Sequence, residues 1–404
     1  MLQSAGHVAY FAGGCVRDAI LGRQPKDFDV ATDATPERVR EVFGKGKTLA
    51  FGAAFGVIGV LPESNTARSK TEPIEVATFR SDGTYSDGRR PDHVHFGDAR
   101  NDALRRDFTI NGLFYDPASN RVIDYVGGQE DLQLRRLRTI GKADDRFEED
   151  KLRMLRAVRF ATTLEFQLDP DVHASIERRA DEISLVSSER IGAELRRLVG
   201  AQSAAAGLEL LLSTKLAKTV FPELDGADHE RLRLVFGNAQ ERDFPASIAI
   251  ICDSIVKQSP AEERLRIIDR LGSRWKLSNE EQRRVKTAMR LWPTVVNAHA
   301  LPWSIVQPVL LERDIADTLE VASAVAAADG STTEGIDRCR VALTWDADKL
   351  NPPPLLTGQD LQASGYKPGP VFKHWLKTVR DQQLDGQLKT TKDAMAWVSR
   401  EAGR

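Results

Sequence analysis

Up to about Asp144 the apolar positions change period every few residues, short glycine-bounded runs alternating with segments of helical spacing. Beyond it the strand-like runs stop and helical spacing continues to the C-terminus. The pattern predicts an α+β N-terminal part, a small mixed β-sheet with helices, followed by an all-α remainder. Tyr10-Phe11-Ala12 reads as a strand ended by a tight turn at Gly13-Gly14, and Val16 to Leu21 as a helix closed at Gly22. Asp27-Phe28-Asp29-Val30 reads as a second strand, with both carboxylates on one face and Phe28 and Val30 toward the core. Pro36 to Phe43 predicts a helix with Thr35 as N-cap. Phe51 to Val60 predicts two strands around a glycine turn, and Ile74 to Arg80 a strand with Glu75, Ala77 and Phe79 on one side. Ser81 to Asp98, rich in Gly, Asp, Arg and Pro, predicts a long polar loop. Arg121 to Val126 gives the last strand.

In the helical part, Asp145 to Leu164 predicts one continuous helix burying Phe147, Leu155, Val158 and Ala161. Asp150, Arg153, Arg156 and Arg159 follow at steps of three, so their side chains fan around that helix. Asp169 to Val186 and Ser187 to Gly200 predict two more helices, the second capped by Ser187 or Ser188. An arginine-rich segment runs from Arg264 to Arg290, and the tail from Gln359 carries Lys367, Lys373, Lys377, Arg380, Lys389 and Lys392. Such runs are usually solvated helix faces.

Composition narrows this picture. A chain of 404 residues suggests two to four domains. A net charge of −2 gives no global positive field, so any RNA contact must use local basic stripes. Cys15, Cys252 and Cys339 are too few and scattered for a disulfide framework or a zinc site, which fits a reducing cytoplasm. No run reaches the length of a membrane span, so no membrane partner is expected. Gly46-Lys47-Thr48 is no P-loop, because Glu41 stands where the first glycine is required. No His-Asp dyad occurs, so no metal-dependent phosphohydrolase module is expected.

Chemistry concentrates between Tyr10 and Thr32. Two acids on one strand face repel unless a cation lies between them, and hard divalent ions prefer carboxylate oxygen. The Gly-Gly turn offers backbone N–H groups to phosphate, with Arg17 close by. Phosphate cradle followed by metal acids outlines a nucleotidyl-transfer site.

Gly13-Gly14-Cys15-Val16-Arg17-Asp18 followed by Asp27-Phe28-Asp29 resembles the head-domain signature of class II tRNA nucleotidyltransferases, the CCA-adding enzymes and their poly(A) polymerase relatives. The resemblance implies template-independent addition of CCA, from CTP and ATP, to the 3′ end of tRNA. It implies two Mg²⁺ ions on Asp27 and Asp29, with Glu75 as third carboxylate. Leu104 to Asn111 resembles the family's RRD motif, which implies Arg106 and Asp107 at the nucleotide beside Gly13, Gly14 and Arg17. Glu149-Asp150-Lys151-Leu152-Arg153 matches its EDxxR motif, in which Asp150 and Arg153 read the base. Arg156 and Arg159 then serve phosphate or helix packing. Ser188 to Leu195 resembles a segment that buttresses this site, and Ser81 to Asp98, with Arg89-Arg90-Pro91-Asp92, the flexible loop. The implied division is head 1–140, neck 141–200, body 201–295 and tail 296–404, with tRNA on the tail and no obligate protein partner.

The base choice follows from donor patterns. Cytosine and adenine place an amino donor beside a ring-nitrogen acceptor, whereas guanine and uracil present the reverse. Aspartate only accepts and arginine only donates, so an Asp–Arg pair matches C and A and leaves G and U with unpaired groups. An A-only or CC-only adder and a poly(A) polymerase are the alternatives. Phe51-Gly52-Ala53-Ala54-Phe55-Gly56 lacks the Gly-Arg-Arg-Phe-like signature of the polymerase branch, and the complete loop argues against CC-only addition.

Overall fold

A seven-stranded sheet forms where the sequence alternates, in the order β3-β4-β5-β2-β1-β8-β9. Its strands are β1 (Ala9–Ala12), β2 (Asp29–Thr32), β3 (Thr48–Gly52), β4 (Val57–Val60), β5 (Ile74–Thr78), β8 (Leu113–Asp116) and β9 (Arg121–Asp124). Only β2 and β5 run parallel; the other neighbours are antiparallel. Two short strands, β6 (Arg80–Asp82) and β7 (Val94–Phe96), pair beside it. The computed structural model describes residues 1–62, 73–83, 93–239, 242–255 and 261–403. They form two compact units, Met1–Asp225 and Gly226–Arg404.

Pleat alternation assigns each face of the sheet its cover. On one side Ala12, Ala31, Phe79 and Phe114 bury against Ala99 and Ala103 of α3 (Ala99–Leu104), following α1 (Gly14–Ile20) and α2 (Pro36–Phe43) in the chain. On the other, Val39 of α2 packs with Leu2, Ile58, Val60 and Val76. The predicted bounds of α2 hold, Thr35 capping it by accepting from Arg38 N at 3.4 Å.

Elsewhere the observed elements differ from expectation. Phe28 does not face the core. β1 stops at Ala12, paired with Asp29, so Asp27 and Phe28 would need partners where the chain already turns at Gly13. Phe28 is 49 % exposed, edge-on to Phe11. The polar stretch Ser81 to Asp98 has paired strands at both its ends, and Arg89-Arg90-Pro91-Asp92 lie outside the described residues. The helix expected over 145–164 is two, α5 (Ala143–Glu149) and α6 (Leu152–Leu164), after α4 (Gly128–Gln133). Asp150 between them is extended, with φ −150° and ψ 108°. Its carboxylate accepts from Leu152 N at 3.0 Å and so caps α6 (the local bond by which aspartate competes with helix). Asp150 and Arg153 are therefore not one turn apart on a common helix. The buried stripe Phe147, Leu155, Val158 and Ala161 is nevertheless as expected.

Strand pairing also reaches past Asp144, where β10 (Arg136–Leu137) pairs in parallel with β11 (Gln167–Leu168). The expected helix 169–186 is α7 (Pro170–Arg179) followed by a 3₁₀ turn. α8 (Ser188–Val199) starts at Ser187, which makes no side-chain cap bond. In the C-terminal unit all described elements are helical, with a core of Val295, Val306, Leu310, Ala322 and Ile336 and a second of Leu361, Phe372, Trp375 and Val398. No described helix is long and apolar enough to cross a membrane.

Candidate active site

β1 delivers the chain to Gly13, whose φ of 72° lies in the left-handed region. A Cβ there would stand 2.9 Å from Arg106 Nη1, so the backbone favours glycine and any side chain would displace the Arg106 guanidinium. Arg106 is thus set against the turn. Its Nε and Nη2 donate to Asp102 Oδ2 at 3.2 and 2.9 Å, and Nη1 donates to the Asn111 carbonyl at 3.2 Å. Its guanidinium carbon lies 5.1 Å from the Phe114 ring centre.

Asp29 opens β2 one register step before Val30 meets Val76 of β5, which sets Glu75 alongside it. Much of the residue stays exposed, yet the water lost around the carboxyl, then the charges of Asp27 and Glu75, push its pKa up to about 6. Arg106 opposes the shift. Asp27, Asp29, Glu75 and Arg106 therefore share one electrostatic site beside the glycine turn. Among the described residues no three His, Cys, Asp or Glu side chains form a ready metal cage. What the site offers is a set of hard carboxylate oxygens.

The remaining predicted residues divide by partner. Arg17 is buried, and its Nη1 donates to Asn111 Oδ1 at 2.7 Å and its Nε to Asp18 Oδ1 at 2.8 Å. Its guanidinium carbon is 5.3 Å from the centre of Phe160 on α6. Asp107 turns toward the neck, accepting from Arg156 Nε at 3.0 Å and Asn111 Nδ2 at 3.1 Å. Burial works to raise its pKa, but the charge and hydrogen bonds of Arg156, with Asn111, hold the carboxyl down at about 2. Arg156 also reaches Glu194 at 3.7 Å, and Arg159 donates to the same carboxylate, its guanidinium 3.6 Å over Phe160. Asp150 accepts from Arg190 Nη1 at 3.2 Å and Nη2 at 2.7 Å. Arg153 instead pairs with Glu149 and donates to the Arg146 carbonyl at 3.1 Å. Asp150 and Arg153 therefore each hold a different partner.

Asp102 and Phe160 went unnoticed in the sequence, Asn111 figured only as the last residue of the RRD stretch, and Arg190 and Glu194 only as parts of a buttress. Asp102 precedes Arg106 by four residues, the spacing of helical ion pairs, which is a readable signal. Nothing marks Asn111. In the C-terminal unit, Arg283 of the arginine-rich segment pairs with Glu280 and Asp314, Lys286 with Asp269 and Arg290 with Glu312. These cations line a surface cavity of about 620 Å³ as compensated charges, which suits a solvated face.

Residues 9–138 match the family described as Poly A polymerase head domain, and 267–398 the one described as tRNA nucleotidyltransferase domain 2. Residues 165–227 match an RNA- and SrmB-binding site of polymerase A. The CCA-adding enzyme of Latilactobacillus sakei subsp. sakei (strain 23K) is 31 % identical over 98 % of this chain and 94 % of its own length. The chain belongs to the CCA-adding family of tRNA nucleotidyltransferases. That of Geobacillus stearothermophilus is 42 % identical, over 58 % of this chain and 55 % of its own. Among solved structures, the Bacillus stearothermophilus CCA-adding enzyme in complex with CTP superposes with a TM-score of 0.75 at 28 % identity, covering 100 % of this chain and 95 % of that one. The family's mixed-sheet head and helical remainder are those described above.

Proposed function

We propose that the enzyme adds CCA to the 3′ end of tRNA from CTP and ATP, without a nucleic-acid template. The observation that carries this reading is the convergence of Asp27, Asp29, Glu75 and Arg106 on the Gly13 turn. The donor set fits divalent metal: aspartates are hard ligands, and Asp29, its pKa raised first by loss of water and then by the charges of Asp27 and Glu75, is a carboxylate that a cation would stabilise in its charged form. We assign two Mg²⁺ to Asp27 and Asp29, with Glu75 completing the shell or orienting the primer. Bound there, the metal supplies Lewis-acid activation of the RNA 3′-hydroxyl and neutralises charge on the departing pyrophosphate.

The chain's own residues do the rest. Gly13 and Gly14 allow the triphosphate to approach the backbone, and Arg106, with Arg17 behind it, faces phosphate oxygens. Asp150 and Arg153 read the base. With Arg190 Nη1 and Leu152 N both donating to Asp150 Oδ1 and Arg190 Nη2 to Oδ2, the carboxylate is oriented, and the second lone-pair direction of Oδ2 is the one that accepts from an exocyclic amino group. Asp107, Arg156 and Arg159, committed to one another and to Glu194, hold α6 against the head and do not touch nucleotide in this reading. Residues 1–140 then serve catalysis, 141–200 base recognition, and 201–295 and 296–404 the tRNA. Three buried free cysteines suit a cytoplasmic location.

The decisive assay offers Mg²⁺, each nucleoside triphosphate separately, and tRNA transcripts ending before the first C, before the second C and before the A. Stepwise C, C, A addition supports the reading. Extension of one transcript class alone means a partial adder, and a long A-tract means a poly(A) polymerase. Asp27→Ala is expected to abolish addition on every transcript.

A further inference from the structure

The aspartate that ends the RRD motif, Asp107, does not partner the motif's arginines but accepts from Arg156 on α6. The carboxylate that holds Arg106 is Asp102, on α3 and outside the motif. Its side chain is 1 % exposed, and its two oxygens are divided. Oδ1 accepts from Arg105 Nε and Nη2 at 2.9 and 2.6 Å, while Oδ2 accepts from Arg106 Nε and Nη2 at 3.2 and 2.9 Å. Burial favours the neutral acid, but the two guanidinium charges override it and keep Asp102 ionised.

We propose that Asp102 is the positioning residue that aims Arg106 at the nucleotide triphosphate, an inference resting on the assignment of Arg106 to phosphate. A guanidinium has five N–H groups. Three are committed, two to Asp102 and one to the Asn111 carbonyl, and the group is further confined between the Phe114 ring and Gly13. The other two N–H directions are the ones a phosphate oxygen would use. The same tether fixes the position of a cation that already acts electrostatically on Asp29. Arg105, itself 3.6 Å from Asp82, balances the second oxygen of Asp102 and so fixes the plane of the fork. Asp102 touches no reacting atom. It acts through Arg106.

The test is a double-mutant cycle on the full-length protein, with CTP and ATP addition measured on tRNA transcripts. D102N keeps the shape but turns an N–H donor toward the guanidinium. It is expected to raise KM for CTP and ATP together about tenfold, equivalent to about 1.4 kcal/mol. The preference for C and A over U and G should be unchanged, because Asp150 is untouched. R106K alone should raise both KM values, and D102N should add nothing on the R106K background. D102E replaces D102N in the same cycle if the asparagine variant cannot be purified folded. Multiplying effects in the double variant, or normal KM values in D102N with R106K impaired, would overturn the role of Asp102 and leave Arg106 at the phosphate. Normal KM values in R106K would overturn both assignments.

Discussion

Replacing Asp107 by asparagine tests the ion pair that this residue makes with Arg156 of α6. The carboxylate is held at about 2, below the ordinary aspartate value, because Arg156 and Asn111 stabilise its charged form against the penalty of burial. A depressed carboxylate pKa contributes stability that is fully present above the unfolded value near 4 and is lost as pH falls toward 2. From a drop of roughly 2 units the contribution at neutral pH is about 2–3 kcal/mol, with about half of it remaining at pH 3. The side chain keeps only 11 % exposure, so solvent screening takes little from that figure. The assay must separate the two units, since a chain of two compact bodies need not unfold in one step. All six tryptophans lie between Trp275 and Trp397, so their emission reports the C-terminal unit, while far-UV circular dichroism sees both. In urea titrations at pH 7, 4 and 3, D107N should shift the dichroism transition and not the tryptophan transition. Its deficit relative to wild type should shrink by about half at pH 3. A deficit that stays constant with pH would show that Asp107 contributes shape alone, and the argument from its charge would fail.

Three further outcomes follow from the geometry. Gly13→Ala forces a side chain into left-handed backbone, costing at least about 1–2 kcal/mol, and pushes on Arg106 Nη1; it should lower both the melting temperature and the apparent affinity for CTP. Asp150→Ala should leave Mg²⁺ dependence intact but let UTP and GTP compete with CTP and ATP, read by sequencing the added nucleotides; strict selection in that variant would end the Asp–Arg template argument. Arg231→Met removes the guanidinium that pairs at 3.0 Å with Asp253, which is 2 % exposed, and should cost the C-terminal unit about 3–5 kcal/mol, seen as an earlier tryptophan transition in urea.

What could be read from the residues was whatever local pattern determines. Thr35-Pro36 marked the start of α2 because cap and first-turn chemistry are contained in adjacent residues. Gly13 was marked for the same reason, as the end of an apolar run, although the sequence could not show that Arg106 sits where its Cβ would be. Asp27-Phe28-Asp29 misled because alternation presumes that a strand continues. The start of β2 is set by where β1 turns, which is a pairing property and not a property of the three residues.

Charge partners were the least legible part, and the reason is physical. The chain around Asp150 and Arg153 contains Arg146, Glu149, Lys151 and Arg156 within one or two helical turns, so spacing alone permits many pairings of similar energy. Tertiary packing selects among them: Arg190 arrives from α8 and Asp107 from the head, 40 and 49 residues distant from their partners. Arg190 takes Asp150, Asp107 takes Arg156, and Arg153 is left to Glu149. The helix break at Asp150 belongs to the same choice, since a carboxylate that caps α6 and receives Arg190 cannot also lie along a continuous helix. Under the proposed assignment of Asp150 and Arg153 to the base, selection would depend on α8 as much as on the motif. On that argument a substitution at Arg190 should alter nucleotide choice, read by sequencing the added nucleotides, while leaving Asp27 and Asp29 undisturbed.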